Sequence, residues 1–522
     1  MTSDQSSGPA SQRYNLLAGD RDVYLQKARE AAKYTLPSLI PEATQSTYNT
    51  FYQPWQSLGS RGVNNLASKL LLALFPSTQA FFRLSPSQKL LSQIEEKDRE
   101  AYDQALAKIE RVVRQQFDSK ALRAPLHEGL KHLLVSGNAT LHIPPSGAMR
   151  VFGLSQFVTR RDPEGTMMEL IVKESVDVEA LPPETRSAVI GKIKQSQPTP
   201  DQPRNVDVFT WVRRSAEKYE VSQEAAGIAL PGSGFYPLDR CPWIVLRWTR
   251  IDGEHYGRGM VEDYLGDLRS YENLSKSSVE AGAISARTLF GVRPGAIVNI
   301  KDLTEAKNGE FVLMNPDDVK TIQAERFADM QVVNKEKGDL RQALSYAFML
   351  NSSVQRDAER VTAEEIRYMA QELESALGGV YSVLASDFQL PLVRVLLVNL
   401  QKSGDLPKLP EKGVDLTIVT GFDALGRTSD IMRLNELLGT AAQLFGPQVV
   451  QYVSVEAYMK KALASYGLDG DGLIRTEQDV AEMNKVQMTQ ALAEKAAPNA
   501  VKAMSDQALA QQQQPQQETT NG

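Results

Sequence analysis

Two long helical segments separated by a Gly- and Pro-containing excursion constrain the fold of this chain most. Residues 259–290 would span roughly 48 Å as one straight helix. Residues 291–324 then break the helical pattern with Gly and Pro and supply short strands and turns. The helical pattern returns over residues 325–348. Two long helices joined by a small β-containing tip predict an arm that is too narrow to be a domain of its own.

The chain before this arm changes from a helical to a strand-like pattern. Helices are predicted over residues 22–34, 55–75 and about 95–136, where apolar residues recur at helical spacing. Between residues 138 and 248, β-branched and aromatic runs alternate with turn residues; the runs are TLHIPP, MRVFGL, MMELIVKE, VDVFTWVRR and WIVLRW. The predicted fold class is therefore mainly α with a β-rich subdomain.

A polar segment, NSSVQRDAERV at 351–361, lies between the arm and the best-defined helix of the sequence. Thr362 and Glu365 have the spacing of a capping box, so this helix is predicted to begin at residue 362. Its apolar stripe is interrupted by Gly378 and Gly379, which are predicted to kink it. Pro391 is expected to end the helix or to bend it again.

The last part of the chain is predicted to be a helical block with helices over 428–445, 447–466 and 476–495. Residues 1–20 and 505–522 are polar, and the second of these segments is rich in Gln. Segments of this composition bury too little apolar area to order themselves, so both are predicted to be disordered tails.

The composition excludes several classes of protein. The 58 Lys and Arg residues are balanced by 64 Asp and Glu residues, so no global positive charge attracts nucleic acid. A single cysteine, Cys241, excludes internal disulfides and indicates a reducing compartment. The most apolar short run, Leu70 to Phe75, is far below the ~20 residues of a membrane span, and no signal peptide is recognised. A soluble protein with no membrane partner is predicted.

Sequence motifs of common enzymes are missing from the chain. There is no P-loop, no G-x-S-x-G elbow, no H-E-x-x-H and no C-x-x-C. The four histidines are scattered, and no pair of carboxylates stands out in a setting that would shift a pKa. The chain is therefore predicted to be no enzyme and to hold no metal and no cofactor.

Four stretches of the sequence resemble the portal, or head-to-tail connector, proteins of short-tailed double-stranded DNA bacteriophages. The stretches are YTLPSLIP, PWQSLGSRGVNNLASKLLLALFP, DGEHYGRGMVEDYLGDLRSYENL and the segment from LSYAFML to LVRVLL at 344–397. The similarity covers roughly residues 14 to 480. In that family twelve subunits form a ring with wing, stem, clip and crown regions around an axial DNA channel.

The resemblance implies an assignment of every segment to a region of the portal fold. Residues 21–258 would form the wing, 259–290 and 325–348 the two stem helices, and 291–324 the clip. Residues 349–361 would be the tunnel loop and 362–403 the long kinked wing helix. Residues 404–504 would form the helical crown.

The resemblance also implies function, partners and location. The chain is expected to form a dodecameric ring at one capsid vertex, to pass double-stranded DNA during packaging and ejection, and to be assembled in the host cytoplasm. Expected partners are the terminase large subunit, tail adaptor and nozzle proteins, capsid and scaffolding proteins, and internal core proteins. The alternative is a non-channel virion structural protein, either an adaptor or an internal core protein; an enzyme with an unrecognised motif is a further alternative.

Candidate DNA-facing residues follow from the same assignment. They are Lys276, Arg287, Lys335 and Lys337 on the stem helices and Gln355, Arg356 and Arg360 on the tunnel loop. A strongly cationic channel would grip the phosphate backbone, so a conduit is expected to be mixed or net acidic with isolated basic side chains. For each residue the alternative is a solvated charge or one paired in a salt bridge. The ring of polar loops is hypothesised to act as a valve against back-slippage.

Overall fold

The structure, a computed structural model of the chain, is described for part of its length. The described residues are 9–42, 50–76, 81–86, 99–196, 205–285, 289–296, 298–322, 327–350, 368, 371–373, 375–406, 416–420, 426–446, 448, 452–466, 475, 479–480 and 482–489. The chain divides into two compact units. The first comprises residues 1–95 and 108–424, and the second comprises residues 96–107 and 425–522.

The helices and strands alternate in blocks along the chain. The described helices are α1 (Ala10–Tyr34), α2 (Leu58–Leu74), α3 (Arg99–Ser119), α4 (Arg123–Ser136), α5 (Pro183–Ser196), α6 (Met260–Asp263), α7 (Leu265–Ser285), α8 (Ile300–Glu305), α9 (Phe327–Ala347), α10 (Val380–Leu384), α11 (Leu390–Ser403), α12 (Gly426–Phe445) and α13 (Val455–Tyr466). The described strands are β1 (Phe82–Pro86), β2 (Asn138–His142), β3 (Arg150–Gly153), β4 (Phe157–Arg161), β5 (Met167–Asp177), β6 (Asn205–Arg214), β7 (Lys218–Ala225), β8 (Ile228–Pro237), β9 (Trp243–Arg247), β10 (Leu289–Val292), β11 (Val319–Ile322) and β12 (Leu416–Thr420).

Helix α1 begins at Ala10, within the segment that the sequence assigned to a disordered tail. The Glu224 carboxylate on β7 accepts hydrogen bonds from the Ala10 backbone N–H at 2.6 Å and from the Ser11 hydroxyl at 3.1 Å. Tyr14 and Leu17 are buried in the same apolar cluster as residues of β4, β5 and β6. Residues 10–20 are therefore helical because a carboxylate distant in sequence caps the helix and a sheet covers its apolar side chains. The residues near this segment in the sequence do not indicate either contact.

The β-rich subdomain contains two antiparallel sheets. One has the strand order β3-β2-β9, and the other has the order β4-β5-β6-β7-β8. Strands β2, β3, β5, β6 and β9 coincide with the five runs singled out in the sequence. Strand β12, which lies beyond the predicted wing boundary at residue 404, pairs with β1 and belongs to the first unit.

Helix α2 lies in the core of the first unit. Leu66, Leu70 and Leu74, which recur at helical spacing, are fully buried. Beyond its last residue, Phe75 stacks on Phe117 and makes an edge contact with Phe388, with ring centroids 5.6 and 5.2 Å apart. Because aromatic contacts of this kind add to the burial of the rings, α2 is held firmly at this end.

The long helix predicted over residues 362–403 is interrupted where it is described. Residues 375–377 are helical, Gly378 has a φ of 57°, and α10 follows the turn. A π-helical turn, Ala385–Gln389, then joins α10 to α11. Pro391 lies in the first turn of α11 and has no N–H to donate, and the wider π turn carries the chain past it without ending the helical path.

In the described part of the chain, one helical stretch is long and apolar enough to cross a membrane. It is Val380–Ser403, whose most apolar window has a mean hydropathy of 1.5. Within that window 61% of the residues are buried inside the chain, as in the core helix of a folded domain. Burial by protein accounts for the apolar character of this helix.

The second unit contains the helices α12 and α13. They pack against each other, and the Tyr458 hydroxyl of α13 donates a hydrogen bond to Asn435 Oδ1 of α12. Large apolar side chains of both helices are exposed, including Leu437, Leu444 and Met459.

Candidate nucleic-acid interface

The predicted arm is present as two helices connected through a small sheet. Helix α7 packs against helix α9, and β10 pairs with β11 in antiparallel register from Leu289 opposite Ile322 to Val292 opposite Val319. The first helix is shorter than predicted. Tyr264 separates α6 from α7, and α7 ends at Ser285.

A groove with both polar and apolar side chains in its lining runs between the two helices of the arm. Ser270 and Asn273 line it from α7, and Glu336 and Asp339 line it from α9. Over their whole lengths the two helices carry six carboxylates and five Lys or Arg side chains. The two helices together are therefore close to neutral.

Three of the predicted DNA-facing residues lie on these helices. Lys276 of α7 lies 3.9 Å from Glu280, one helical turn further on, and both side chains are about half exposed. Lys335 of α9 is exposed, and Lys337 is partly buried. An exposed pair of this kind contributes little to stability, so Lys276 exchanges its carboxylate partner for another anion at low cost.

The other predicted residues lie outside the described residues. They are Arg287, Gln355, Arg356, Arg360, Thr362 and Glu365. The two predicted kink residues are described. Gly378 is in the left-handed region with a φ of 57°, and Gly379 precedes α10 with a φ of −66°. The turn thus requires glycine at residue 378 but not at residue 379.

Helix α9 ends in an unusual way at the point where the chain continues toward residue 351. The Leu350 N–H donates to the carbonyl of Ser345 at 2.8 Å, and the Met349 N–H donates to that of Tyr346 at 3.0 Å. These two bonds define a Schellman motif, whose left-handed residue is usually Gly. Here that residue is Met349, with a φ of 53°.

Side chains from α2 hold this helix end. The Lys69 ammonium donates a hydrogen bond to the Met349 carbonyl at 2.8 Å. Asn65 Nδ2 donates to the carbonyls of Phe348 at 3.1 Å and Met349 at 3.2 Å. Burial lowers the pKa of Lys69, and the nearby Glu372 carboxylate opposes this effect.

The sequence contains one weak signal for this contact. Lys69 stands next to Leu70 within the apolar stretch of α2, and its exposed fraction is only 6%. A lysine on the buried side of a helix requires a polar partner, because an unpaired buried ammonium is strongly disfavoured. The partner itself lies 280 residues away and is not predictable from spacing.

Metal chemistry finds no support in the described part of the chain. No group of three or more His, Cys, Asp or Glu side chains there could hold a metal ion.

The chain matches a known protein family over most of its length. Residues 7–474 match the family of bacteriophage head-to-tail connecting proteins. The chain belongs to this family, whose members are structural components of the virion and not enzymes.

The relatives of the chain are named portal proteins. The portal protein of Escherichia phage T7 is 39% identical over 475 residues, which cover 89% of this chain and 88% of the relative. The portal protein of Enterobacteria phage T3 is 39% identical over 478 residues, covering 90% and 88%. That of Pseudomonas phage phiKMV is 30% identical over 483 residues, covering 90% and 93%.

Two of the similar solved structures come from gene transfer agent particles. A chain of the native virion is 13% identical, with 79% of this chain and 90% of that chain covered and a TM-score of 0.35. A chain from the neck of the empty particle is 12% identical over the same shares, with a TM-score of 0.36.

Proposed function

We propose that twelve copies of this chain form a ring at one vertex of the capsid, and that double-stranded DNA is packaged and ejected through the ring. Membership of the connector family and the similarity to phage portal proteins support this proposal. In the proposed ring, residues 21–258 form the wing together with β12, 291–324 the clip and the residues from 425 to 504 the crown, with α7 and α9 as the stem.

The exposed apolar side chains of the stem carry the proposal. Val279 and Ile284 of α7 are 52% and 62% exposed, and Val332 of α9 is 60% exposed. Apolar residues on both helices of a narrow arm cannot all be covered within one chain. In a closed ring each copy offers one surface to the preceding copy and a different one to the next, and such heterologous contacts would cover these residues.

The charge of the stem suits a conduit for DNA. B-form DNA carries one negative charge per ~1.7 Å of its axis. Each added cationic contact therefore strengthens the binding of DNA and slows its movement through the ring. A nearly neutral stem with scattered lysines, Lys276, Lys335 and Lys337, makes weak phosphate contacts and no base contacts. Arg287, Gln355, Arg356 and Arg360 are proposed to face the DNA in the same way.

The clip is proposed to dock terminase first and tail adaptor proteins later. Phe311 and Leu313 are completely exposed, at 102% and 100%, which is unusual for large apolar residues without a partner. Replacing both with Ser is expected to leave rings intact and to abolish binding of the terminase large subunit. Rings that no longer form would instead show that these two side chains hold neighbouring copies together.

The proposed function is tested by packaging DNA into preformed heads. Heads assembled from the capsid and scaffolding proteins with this chain are supplied with terminase, ATP and linear DNA. Nuclease-protected DNA is expected only in heads that contain the chain. Equal protection in heads assembled without it would contradict the proposal.

A further inference from the structure

We infer that Asn65 and Lys69 are positioning residues of α2, which fix the direction in which the chain leaves α9 toward residue 351. Their hydrogen bonds converge on the last two residues before Leu350, the Phe348 and Met349 carbonyls. The inference concerns a contact inside one chain, and it holds whether or not the chain forms a ring.

The left-handed conformation of Met349 needs external support. A non-glycine residue in this region is strained because its Cβ crowds the following carbonyl oxygen. Met349 is 93% buried, so its side chain is also held in place by packing. A charged donor on the Met349 carbonyl stabilises the peptide orientation that this conformation produces, since hydrogen bonds to charged groups are the stronger ones.

The face of α2 that carries the two donors is shaped for close contact. Gly62, Asn65 and Lys69 lie at positions i, i+3 and i+7, on one side of the helix. A Cβ on Gly62 would lie 2.5 Å from Cγ of Phe348, so glycine lets the Phe348 ring lie against the backbone of α2. Steric fit and hydrogen bonding therefore select the same placement of the end of α9.

The C-terminal end of α2 binds the chain again after the intervening segment. The Tyr381 hydroxyl donates to the Ala73 carbonyl at 3.3 Å, and the Gln389 side chain donates to the Leu74 carbonyl. Tyr381 and Gln389 are both 1% exposed. Helix α2 thus anchors the chain on both sides of residues 351–367.

A consequence rests on the proposed function. If residues 351–361 meet moving DNA, force on them reaches the end of α9 at Met349, where Asn65 and Lys69 hold the chain. Variants that weaken these contacts are then expected to lower the retention of packaged DNA while rings still assemble.

The test is hydrogen exchange of the amides of Met349 and Leu350 in the purified full-length protein. Lys69→Met removes the ammonium and keeps the length of the side chain, and we expect these amides to exchange roughly tenfold faster or more, given the strength of a charged hydrogen bond. Asn65→Ala is the second variant, with a smaller expected increase. Arg61→Met, on the exposed side of the same helix, is the matched control and is expected to leave the exchange unchanged.

A rescue experiment separates positioning from general loss of stability. Glycine adopts the left-handed conformation without strain, so Met349→Gly is expected to remove most of the effect of Lys69→Met on these two amides. The inference is overturned if both donor variants leave the exchange unchanged. It is also overturned if Lys69→Met accelerates exchange equally with Met349 and with Gly at residue 349. Exchange is measured without DNA, so this result is independent of the packaging result. If the variants change the exchange as expected while DNA retention stays at the wild-type level, only the proposal that residues 351–361 bear force from DNA is contradicted.

Discussion

The Arg13 guanidinium of α1 donates two hydrogen bonds to the Glu169 carboxylate of β5, from Nη2 to Oε2 at 2.8 Å and from Nε to Oε1 at 3.0 Å. The exposed fractions of the two side chains are 13% and 8%, and the Trp211 indole N–H donates to the same carboxylate at 2.9 Å. This pair fastens the first helix of the chain to the five-stranded sheet. Glu169 also raises the pKa of Arg13 through the hydrogen bond.

Removing one partner of this pair should be costly. Arg13→Ala leaves a carboxylate largely buried with only the Trp211 donor, and loss of one partner of a buried ion pair typically costs about 3 to 5 kcal/mol. Thermal unfolding of the purified protein measures the change. Lys276→Ala removes a partner of an exposed pair and is the control, with an expected change below about 0.5 kcal/mol. Similar losses in the two variants would contradict the assignment of Arg13 as a structural anchor.

Acid should destabilise the protein through the buried His132 and the half-buried His142. Burial lowers the pKa of both His132 and His142 from 6.5 to about 4. In the unfolded chain they bind protons below about pH 6.5, whereas in the folded chain they stay neutral until about pH 4. Stability is therefore complete above pH 6.5 and falls as the pH drops toward 4, by about 2 kcal/mol per histidine at pH 5.

His142→Phe tests this pH dependence with little disturbance of packing. The His142 ring stacks on Trp243 with centroids 3.9 Å apart, and phenylalanine preserves the stacking while removing the titrating group. Unfolding temperatures measured from pH 7.5 to pH 5 should fall less steeply in the variant. Parallel curves for the two proteins would show that His142 is not protonated on unfolding.

Gly62 should be intolerant of even a single methyl group. Gly62→Ala forces the new Cβ against the Phe348 ring, and overpacking of this kind typically costs about 1 to 3 kcal/mol. Gly266→Ala in α7 is the matched control, because nothing lies within 4 Å of its Cβ position and alanine favours the helix. Thermal unfolding should thus separate the two variants, and a neutral Gly62→Ala would argue against the close contact between α2 and the end of α9.

The two glycines at the turn before α10 should respond differently to substitution. Gly378→Ala places a Cβ at a φ of 57° and should lower stability by about 1 kcal/mol or more. Gly379→Ala keeps a φ of −66° with open space around it, and should be neutral or slightly stabilising. Equal effects of the two substitutions on the unfolding temperature would mean that the turn is not formed as described.

Local patterns predicted the parts of the fold that depend on local periodicity. Helix α9, Phe327–Ala347, lies within one to two residues of its predicted limits, 325–348, and five strands coincide with the β-branched runs. The start of α1 was not predictable, because Glu224 caps Ala10 across 214 residues of sequence. The π-helical turn before Pro391 was also not predicted. The sequence shows that proline lacks a backbone N–H, but it does not show which backbone conformation accommodates the proline.

The candidate interface was predicted less completely than the fold. Helical periodicity located Lys276, Lys335 and Lys337 on the arm, but which of them face a channel depends on neighbouring copies and on no property of one chain. The contact of Lys69 with Met349 was missed because it joins residues 280 positions apart. In addition, the left-handed residue that ends α9 is methionine, whereas glycine is the residue that usually indicates such a helix end in a sequence.

The central claim, that copies of this chain close into a ring with an axial channel, is tested most directly by its mass and shape in solution. Light scattering of the purified protein should give roughly 690 kDa for twelve copies of a 57.7 kDa chain, and end-on electron micrographs should show a ring with an open centre. A folded monomer or dimer without a central hole, under conditions in which the unfolding transition is cooperative, would contradict the account.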